Sequence, residues 1–505
     1  MGVKAVEVED QIAKRLHYLK QRKEQNRDLW PWLEQSNREF GGGEKTMAAV
    51  RSLAGGAPAV VTGQQAGLLT GPLYTVYKAA TAVILARRFS EQLQTPVVPV
   101  FWLASEDHDF QEVRTAWFPT AAGLRQITFP GEFQLTPACQ IALERPAVKA
   151  VLEQLQELLP ETQFTADILA LAAETARDSF SHWCGALLAR LFAAHGLVIV
   201  DSCGLPLRTG ARPVFAWAVD HGPDIHRMLA EKAREMQAGG RQPVLDIPVE
   251  HSHLFLLHQG LRLALLRDGD AFRDRRGAVT FSRRELLHKV EEEPWTLSPN
   301  VVLRPLVQEL VLLVLAIVGG PGELAYLEQI EPVFAAFGLQ MPPVLPRMGG
   351  VLLEPPVARL LDKYGLTYQQ VEAGLDAWAE ERLQAADPLG IAHTFASLAA
   401  RIEEEYARIT PGLAALDGQL AELGAKNLAK VLEQVQWLEK KALASLRQKN
   451  RELLHHAERL KTALAPLGNR QQRVHNSLWY LNKYGFGFID ILMEQQPAPD
   501  LAIYL

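Results

Sequence analysis

Three spacings of apolar positions divide the chain. Short apolar runs at residues 59–61, 96–103 and 196–201 are brief and rich in β-branched side chains, so they read as buried strands. Between the first two, a helical period predicts a helix from Leu73 to about Phe89. The first strand leads into a loop, Thr62-Gly63-Gln64-Gln65-Ala66-Gly67, and the second stops abruptly at Ser105-Glu106-Asp107-His108-Asp109. Strand, loop, helix, strand is the unit of a doubly wound sheet, which binds ligands beyond the carboxyl ends of its strands. Both polar clusters fall at that edge, so Gln64 and His108 are expected to face one pocket.

Residues 1–50 are charged and helix-friendly, with Trp30, Trp32 and Leu33 as expected contacts onto the core and a break at Gly41-Gly42-Gly43. Strands and loops are expected over 115–150, and helices over 151–195 and 213–238. Short strands are expected over 244–281, turning at Gln259-Gly260 and Asp268-Gly269-Asp270. The stretch SPNVVLRPLVQELVLLVLAIVGGPGELAYLEQ predicts a loop, a buried helix from about Leu306, a Gly-Gly-Pro-Gly corner and a helix near Glu323. Val344-Leu345-Pro346-Arg347 reads as another strand end.

From about Leu375 the pattern changes to apolar ladders at spacings of three and four, one from Phe395 to Leu423 and one from Leu428 to Leu464. Sustained spacing of this kind suits a coiled coil. Gly424 is expected to separate two antiparallel arms, and Pro411-Gly412 to kink or interrupt the first. Aromatic residues return after Asn469, which makes the hairpin an insertion and the tail a return to the core.

The 505 residues exceed one ordinary domain, and a 48% apolar fraction can bury sizeable cores. A net charge of −6 argues against a general nucleic-acid binder. Three cysteines without a CxxC pair support neither a zinc ribbon nor a disulfide scaffold, and a cytoplasmic protein is expected. The longest apolar run, 310–318, is about half of a bilayer span, so no membrane partner is expected.

TGQQAGLLTGP follows neither the Walker nor the dinucleotide pattern. Its glycines and the following helix start suit an anion, and the Gln64 and Gln65 amides suit a carboxylate or sugar hydroxyl; a plain capped turn is the alternative. Glu106, Asp107, His108 and Asp109 could work as an acid–base cluster or hold an amine or metal, or could be a solvated turn capping a helix near Gln111. His251-Ser252-His253 has metal-ligand spacing but no evident third ligand, so a strand surface is the expectation, and His455-His456 is expected to face solvent. Arg304, near Ser298 and Asn300, suits bidentate recognition of a carboxylate or phosphate, or an ordinary salt bridge. Gly319-Gly320-Pro321-Gly322-Glu323 is either a second anion loop or an interhelical corner. A metal-dependent hydrolase and a non-catalytic coiled-coil scaffold are the rival function classes.

VTGQQAGLLTGPLYTVYKA, PVFWLASEDHDF, SPNVVLRPLVQE, GGPGELAYLEQ and NKYGFGFID, in this order, resemble the BshC family, the cysteine ligases of bacillithiol biosynthesis. The resemblance runs from about residue 58 to 492, with His253-Leu254-Phe255 where Asn-Leu-Phe is expected. It implies an α/β fold: a Rossmann-like parallel-sheet core with connecting insertions over 1–374, an inserted α-helical coiled-coil hairpin over 375–467, and a C-terminal return to the core over 468–505. It also implies a homodimer through the coiled coil and the last step of bacillithiol synthesis, addition of cysteine to glucosaminyl-malate by amide formation. On that reading Asp107, His108 and Asp109 bind and deprotonate the amine, Gln64 and Gln65 hold the sugar or cysteine, and Glu106 is a further substrate-binding residue. Arg304, with Asn300 beside it and the Gly63 loop, takes the malate carboxylates or a phosphate. The His-Ile-Gly-His and Lys-Met-Ser-Lys-Ser motifs of class I synthetases are absent. No cofactor is assigned, and ATP or another nucleotide is left open as the activating group.

Overall fold

The structure, a computed structural model, describes residues 5–22 and 28–505. Its chain divides into two compact units, one formed by the residues up to Leu352 with Gln471–Leu505, the other by Leu353–Arg470.

At the centre of the first unit lie five parallel strands: β1 (Ala59–Gln65), β2 (Val98–Ala104), β3 (Val198–Asp201), β4 (Val314–Gly319) and β5 (Val344–Pro346). They are ordered β5-β4-β1-β2-β3. A parallel sheet is covered on both faces, so its strands need unbroken apolar runs rather than alternation. β2 and β4 are buried at every position. The order reverses between β1 and β4, and there the crevice beyond the strand ends opens.

Two expectations are corrected here. Residues 62–65 are strand, not loop: β1 has neighbours on both sides, and its pairing with β2 continues through Gln64↔Leu103 and Gln65↔Ala104. The apolar run at 310–318 is not one helix. Helix Arg304–Val311 ends there, Leu312 turns extended, and β4 begins at Val314. A run that is apolar at every position fits a buried helix and a doubly covered strand equally well, so period could not separate them. The Gly-Gly-Pro-Gly corner is therefore a strand-to-helix turn on the same edge as the end of β1.

A five-stranded antiparallel sheet supplies a second layer, in the order Leu297–Pro299, His251–His258, Leu261–Asp268, Ala271–Arg273, Thr280–Ser282. Its first hairpin turns at Gln259-Gly260, both at positive φ, the conformation that matches the strand twist. Near the N-terminus Leu29 and Leu33 are buried in the core, with Trp30 and Trp32 packed against it. Arg15, on helix Ala5–Lys20, reaches Val314 O at 3.0 Å and Glu309 at 2.5 Å; Arg22 closes on the same carboxylate.

In the second unit α-helices Ile391–Leu416 and Gly418–Lys449 form the hairpin. Tyr406 meets Asn427, and a Cβ on Gly424 would stand 3.3 Å from Leu413, so the arms run antiparallel. The turn lies at Asp417, whose side chain caps Gln419 N at 2.9 Å, and not at Gly424, which lets the two arms approach closely. Helix continues through Pro411 instead of stopping there. Helices Pro355–Tyr364 and Tyr368–Ala373 pack on Arg451–Leu464, so this unit starts ahead of the compositional change near Leu375.

Glu309 is fully buried between two guanidinium groups. Taking away one side of a buried ion cluster strands the rest without counter-charge, at a cost of about 3–5 kcal/mol. Glu309→Gln should lower unfolding stability by that order, read as a drop in the urea midpoint.

Candidate active site

One cavity of about 700 Å³ opens at the switch point, lined by Gln64, Gln65, Lys78, Glu106, His108 and Arg304 among others. The two polar clusters expected to share a pocket do share it. Gly63 faces the cavity but serves the sheet first, since a Cβ there would sit 2.8 Å from Trp102 O. Its carbonyl accepts a 2.8 Å hydrogen bond from Lys78 Nζ, which also donates to Gln64 Oε1 at 2.8 Å and pairs with Glu323. Burial pushes the Lys78 pKa down and Glu323 pulls it back up, with a net lowering. For Glu323 burial acts upward, yet Lys78 and the Gly320 N–H together hold it below its ordinary value.

Glu323 also decides the Gly-Gly-Pro-Gly turn. Its carboxylate accepts from Gly320 N at 2.8 Å, so the helix start that would attract an anion is capped from within. A phosphate does not fit there beside that carboxylate, and no nucleotide site is assigned to the turn.

The turn after β2 carries the acids. Glu106 is buried, and its Oε2 has no hydrogen-bond partner. Asp107 accepts from Gln65 Nε2 at 2.7 Å and from the His108 backbone at 2.7 Å. Burial would raise its pKa, but Arg262, Gln65 and the turn's backbone outweigh burial and keep it ionised. Asp109 is exposed.

Arg262, on the antiparallel sheet, orders this turn. Its guanidinium donates to Ser298 Oγ at 3.0 Å and Pro299 O at 2.9 Å, and lies 3.9 Å from the centre of the Phe255 ring. From there it reaches His108 Nδ1 at 3.3 Å and Asp107 at 3.8 Å. A guanidinium only donates, so Nδ1 accepts and a neutral His108 carries its hydrogen on Nε2. Burial, then the Arg262 charge, lowers the His108 pKa. Such a cation beside Asp107 and His108 also opposes metal binding. Among the described residues no group of three or more His, Cys, Asp or Glu is placed to hold a metal ion.

Cations gather on the β4 side. Arg304 donates to Tyr326 OH at 2.6 Å and keeps a buried, unpartnered Nε. Arg347, whose Nε is likewise unpartnered, donates to Gln472 Oε1 at 2.6 Å and stacks over Tyr74. Burial lowers its pKa to about 10, which leaves it charged at neutral pH. Arg473 completes the lining. Asn300 lines the cavity with both amide ends occupied, by His253 Nδ1 at 3.1 Å and by Val302 N at 3.0 Å.

Sequence reasoning did not single out Lys78, Arg262 or Arg473, and named Arg347 only as a strand end. Lys78 left a signal, a lone charge within the apolar stretch LYTVYKAATAVI. Arg262 left none, because a strand arginine usually faces water.

Rossmann-like order, a crevice at the switch point and a separate helical hairpin define an α/β protein of the Rossmann-like class with an appended coiled coil. The chain matches the family "Bacillithiol biosynthesis BshC, N-terminal Rossmann-like domain" over residues 4–348 and "Bacillithiol biosynthesis BshC, C-terminal coiled-coil domain" over 350–504. It belongs to the BshC family. A relative from Heliobacterium modesticaldum is 36% identical, covering 92% of this chain and 84% of its own length. Another from Symbiobacterium thermophilum is 36% identical (94% and 89%), and one from Geobacillus thermodenitrificans 33% (96% and 91%). All three carry the name "Putative cysteine ligase BshC".

Arg262→Met removes a cation that disfavours charged His108 and favours charged Asp107. Both titration midpoints should therefore move up, His108 protonating at a higher pH than in the parent. NMR titration of labelled imidazole carbons reads the first directly, and an unmoved or lowered midpoint would contradict the assignment.

Proposed function

We propose that this chain is a cysteine ligase that forms an amide between the cysteine carboxyl and the amine of glucosaminyl-malate, completing bacillithiol. The observation that carries this reading is one cavity whose lining holds Glu106, Asp107 and Asp109, with Arg262 beside them, and Lys78, Arg304, Arg347 and Arg473, with Glu323 as their internal acid. An amino sugar joined to a dicarboxylate needs both acids and cations within reach, and membership of the BshC family supports the choice of substrate.

In this reading the malate carboxylates meet Arg304 and Arg347, whose unpartnered Nε atoms are donors in want of an acceptor. Glu106 and Asp107 receive the amine, with Asp109 at the mouth, and Gln64 and Gln65 hold hydroxyl or cysteine groups. The amine attacks only when neutral, so one proton must leave it. Glu106 Oε2 is the best-placed acceptor. His108, with its hydrogen on Nε2, donates to the carboxyl oxygen that gains charge during attack rather than acting as the base. Activation of the cysteine carboxyl, by ATP or another nucleotide, supplies the leaving group.

We further propose that the hairpin pairs two copies of the chain. Leu416, Leu423, Trp437 and Leu438 are 79%, 58%, 55% and 52% exposed, a hydrophobic load that coiled-coil partners cover.

The direct test incubates the purified chain with cysteine, glucosaminyl-malate and ATP and follows bacillithiol by mass spectrometry. In cells, a deletion strain should accumulate glucosaminyl-malate. His108→Ala should cut amide formation about 10²–10³-fold, the usual cost of one oxyanion donor, with the fold unchanged. His108→Gln, which can still donate, should retain more activity; full complementation of the deletion strain by His108→Ala would reject the role. Leu423→Glu with Leu438→Glu should shift the sedimentation coefficient from dimer to monomer, and an unshifted boundary would remove the hairpin from the interface.

A further inference from the structure

The two imidazoles of His251-Ser252-His253 do not lie on a strand surface: both are buried, and His251 lines the cavity. Strand His251–His258 is irregular there. His251 stands opposite Leu266 and Phe255 opposite Ala264, so this strand runs longer than its neighbour between the two pairs. A bulge of this kind re-aims side chains, and bulges gather next to active sites. His253, inside it, holds φ 66° although it is not glycine and is fully buried. Such a conformation costs free energy and persists only where neighbours impose it. Here Asn300 does so, donating from its backbone N to His253 O at 2.9 Å and from Nδ2 to His253 Nδ1 at 3.1 Å.

The bulge fixes the proton on His251. Its Nδ1 lies 2.8 Å from His253 N, and a backbone N–H only donates, so Nδ1 accepts and the neutral ring carries its hydrogen on Nε2. His226 Nε2 donates to His251 O at 2.9 Å, and the His251 ring meets Phe255 edge-on with ring centres 5.2 Å apart. No acceptor for the His251 Nε2–H lies among the described residues, although the ring borders the cavity. Burial first, then His226 and Arg262, lower the pKa of His251 to about 4, which keeps it uncharged at neutral pH.

A neutral donor in this place favours one chemistry. It gives nothing to an ammonium, and a carboxylate would be drawn instead to Lys78, Arg304, Arg347 and Arg473 in the same lining. A hydroxyl both accepts and donates. Asp246 lines the cavity just ahead of the turn that His251 N closes on Pro248 O at 2.9 Å, and its carboxylate only accepts. Donor and acceptor on one short segment suit the hydroxyls of a sugar ring.

We propose that His251 and Asp246 form the sugar subsite of this cavity, the His251 Nε2–H donating to one ring hydroxyl and the Asp246 carboxylate accepting from another. His253 is the positioning residue that fixes the His251 tautomer. The name of the sugar, glucosaminyl, rests on the ligase reading; the subsite itself does not.

NMR of the full-length chain with histidine labelled in its ring nitrogens reads the tautomer without any ligand. His251 should show a protonated Nε2, and a protonated Nδ1 would overturn the proposal. Titration calorimetry then compares glucosaminyl-malate with malate alone. His251→Asn keeps an acceptor for His253 N but falls short of the cavity. It should weaken glucosaminyl-malate binding about 3–10-fold, the usual range for one neutral hydrogen bond, with malate affinity unchanged. His251→Gln, which still reaches with a donor, should recover most of that loss. His253→Asn tolerates positive φ and should bind as the parent does, whereas His253→Val, β-branched, does not and should lose both the affinity and the fixed tautomer. Unchanged affinity in His251→Asn would overturn the subsite, as would an equal loss for malate and its glucosaminyl conjugate, which puts the contact on the carboxylates. Glucosamine is the probe that separates the two readings. If it binds and shifts the His251 Nε2 signal while glucosaminyl-malate does not bind, the subsite stands and the ligase reading falls; if neither binds, both fall.

Discussion

A single buried ammonium holds the site's framework together. Lys78 projects from helix Leu73–Leu93 and binds the end of β1 through Gly63 O and Gln64 Oε1, and the turn after β4 through Glu323. A lysine 2% exposed cannot keep its charge in an apolar interior without such partners. The contact therefore fixes three elements at once, at the place where the sheet's winding reverses. Remove the charge and Glu323 keeps the Gly320 N–H but loses its ion-pair partner, while Gln64 loses the donor that orients its amide. The crevice owes its shape to that charge pair as much as to the strands.

Arg262 plays the matching part on the other wall. It comes from the antiparallel sheet and faces a histidine and a carboxylate within one turn. Burial first and this guanidinium second lower the His108 pKa. At Asp107 burial is overcome by the guanidinium, with Gln65 and the backbone, so two ionisable neighbours take opposite roles, donor and anion. The β4 side works differently: cations gather around one internal acid and keep donor atoms in reserve. A cavity built this way discriminates by charge placement along its length.

Much of this was legible from the order of residues. β1 and β2 declared themselves through short apolar runs that stop at polar clusters, because a doubly covered parallel strand has no other way to be written. The hairpin was legible for the same reason, through its period. The errors share a physical cause, in that they turn on partners distant in sequence. β1 runs on to Gln65 because β2 keeps pairing with it after β4 has stopped at Thr62, and β4 itself hides within an apolar run that a helix could equally use. Asp417 closes the hairpin by a local cap where a glycine looked the better signal. Glu106, Asp107 and His108 could be found because they are contiguous; Arg262 enters from 154 positions beyond His108, and nothing near it in the chain announces the visit.

The loop after β1 is held by residues that lie far along the chain. Asn476 Nδ2 donates to Leu69 O at 2.8 Å and Gly71 O at 2.9 Å, where Leu69, Thr70 and Gly71 all take positive φ. Those left-handed residues have little reason to hold that shape unaided. The clasp is separated from Leu69 by 407 positions, with the entire helical hairpin between. At a translation rate of about 5–20 residues per second, the ribosome needs roughly 20–80 s to deliver it after the loop has been made. A nascent chain can thus build its parallel sheet early, yet the rim that shapes the crevice sets only when synthesis has passed Asn476.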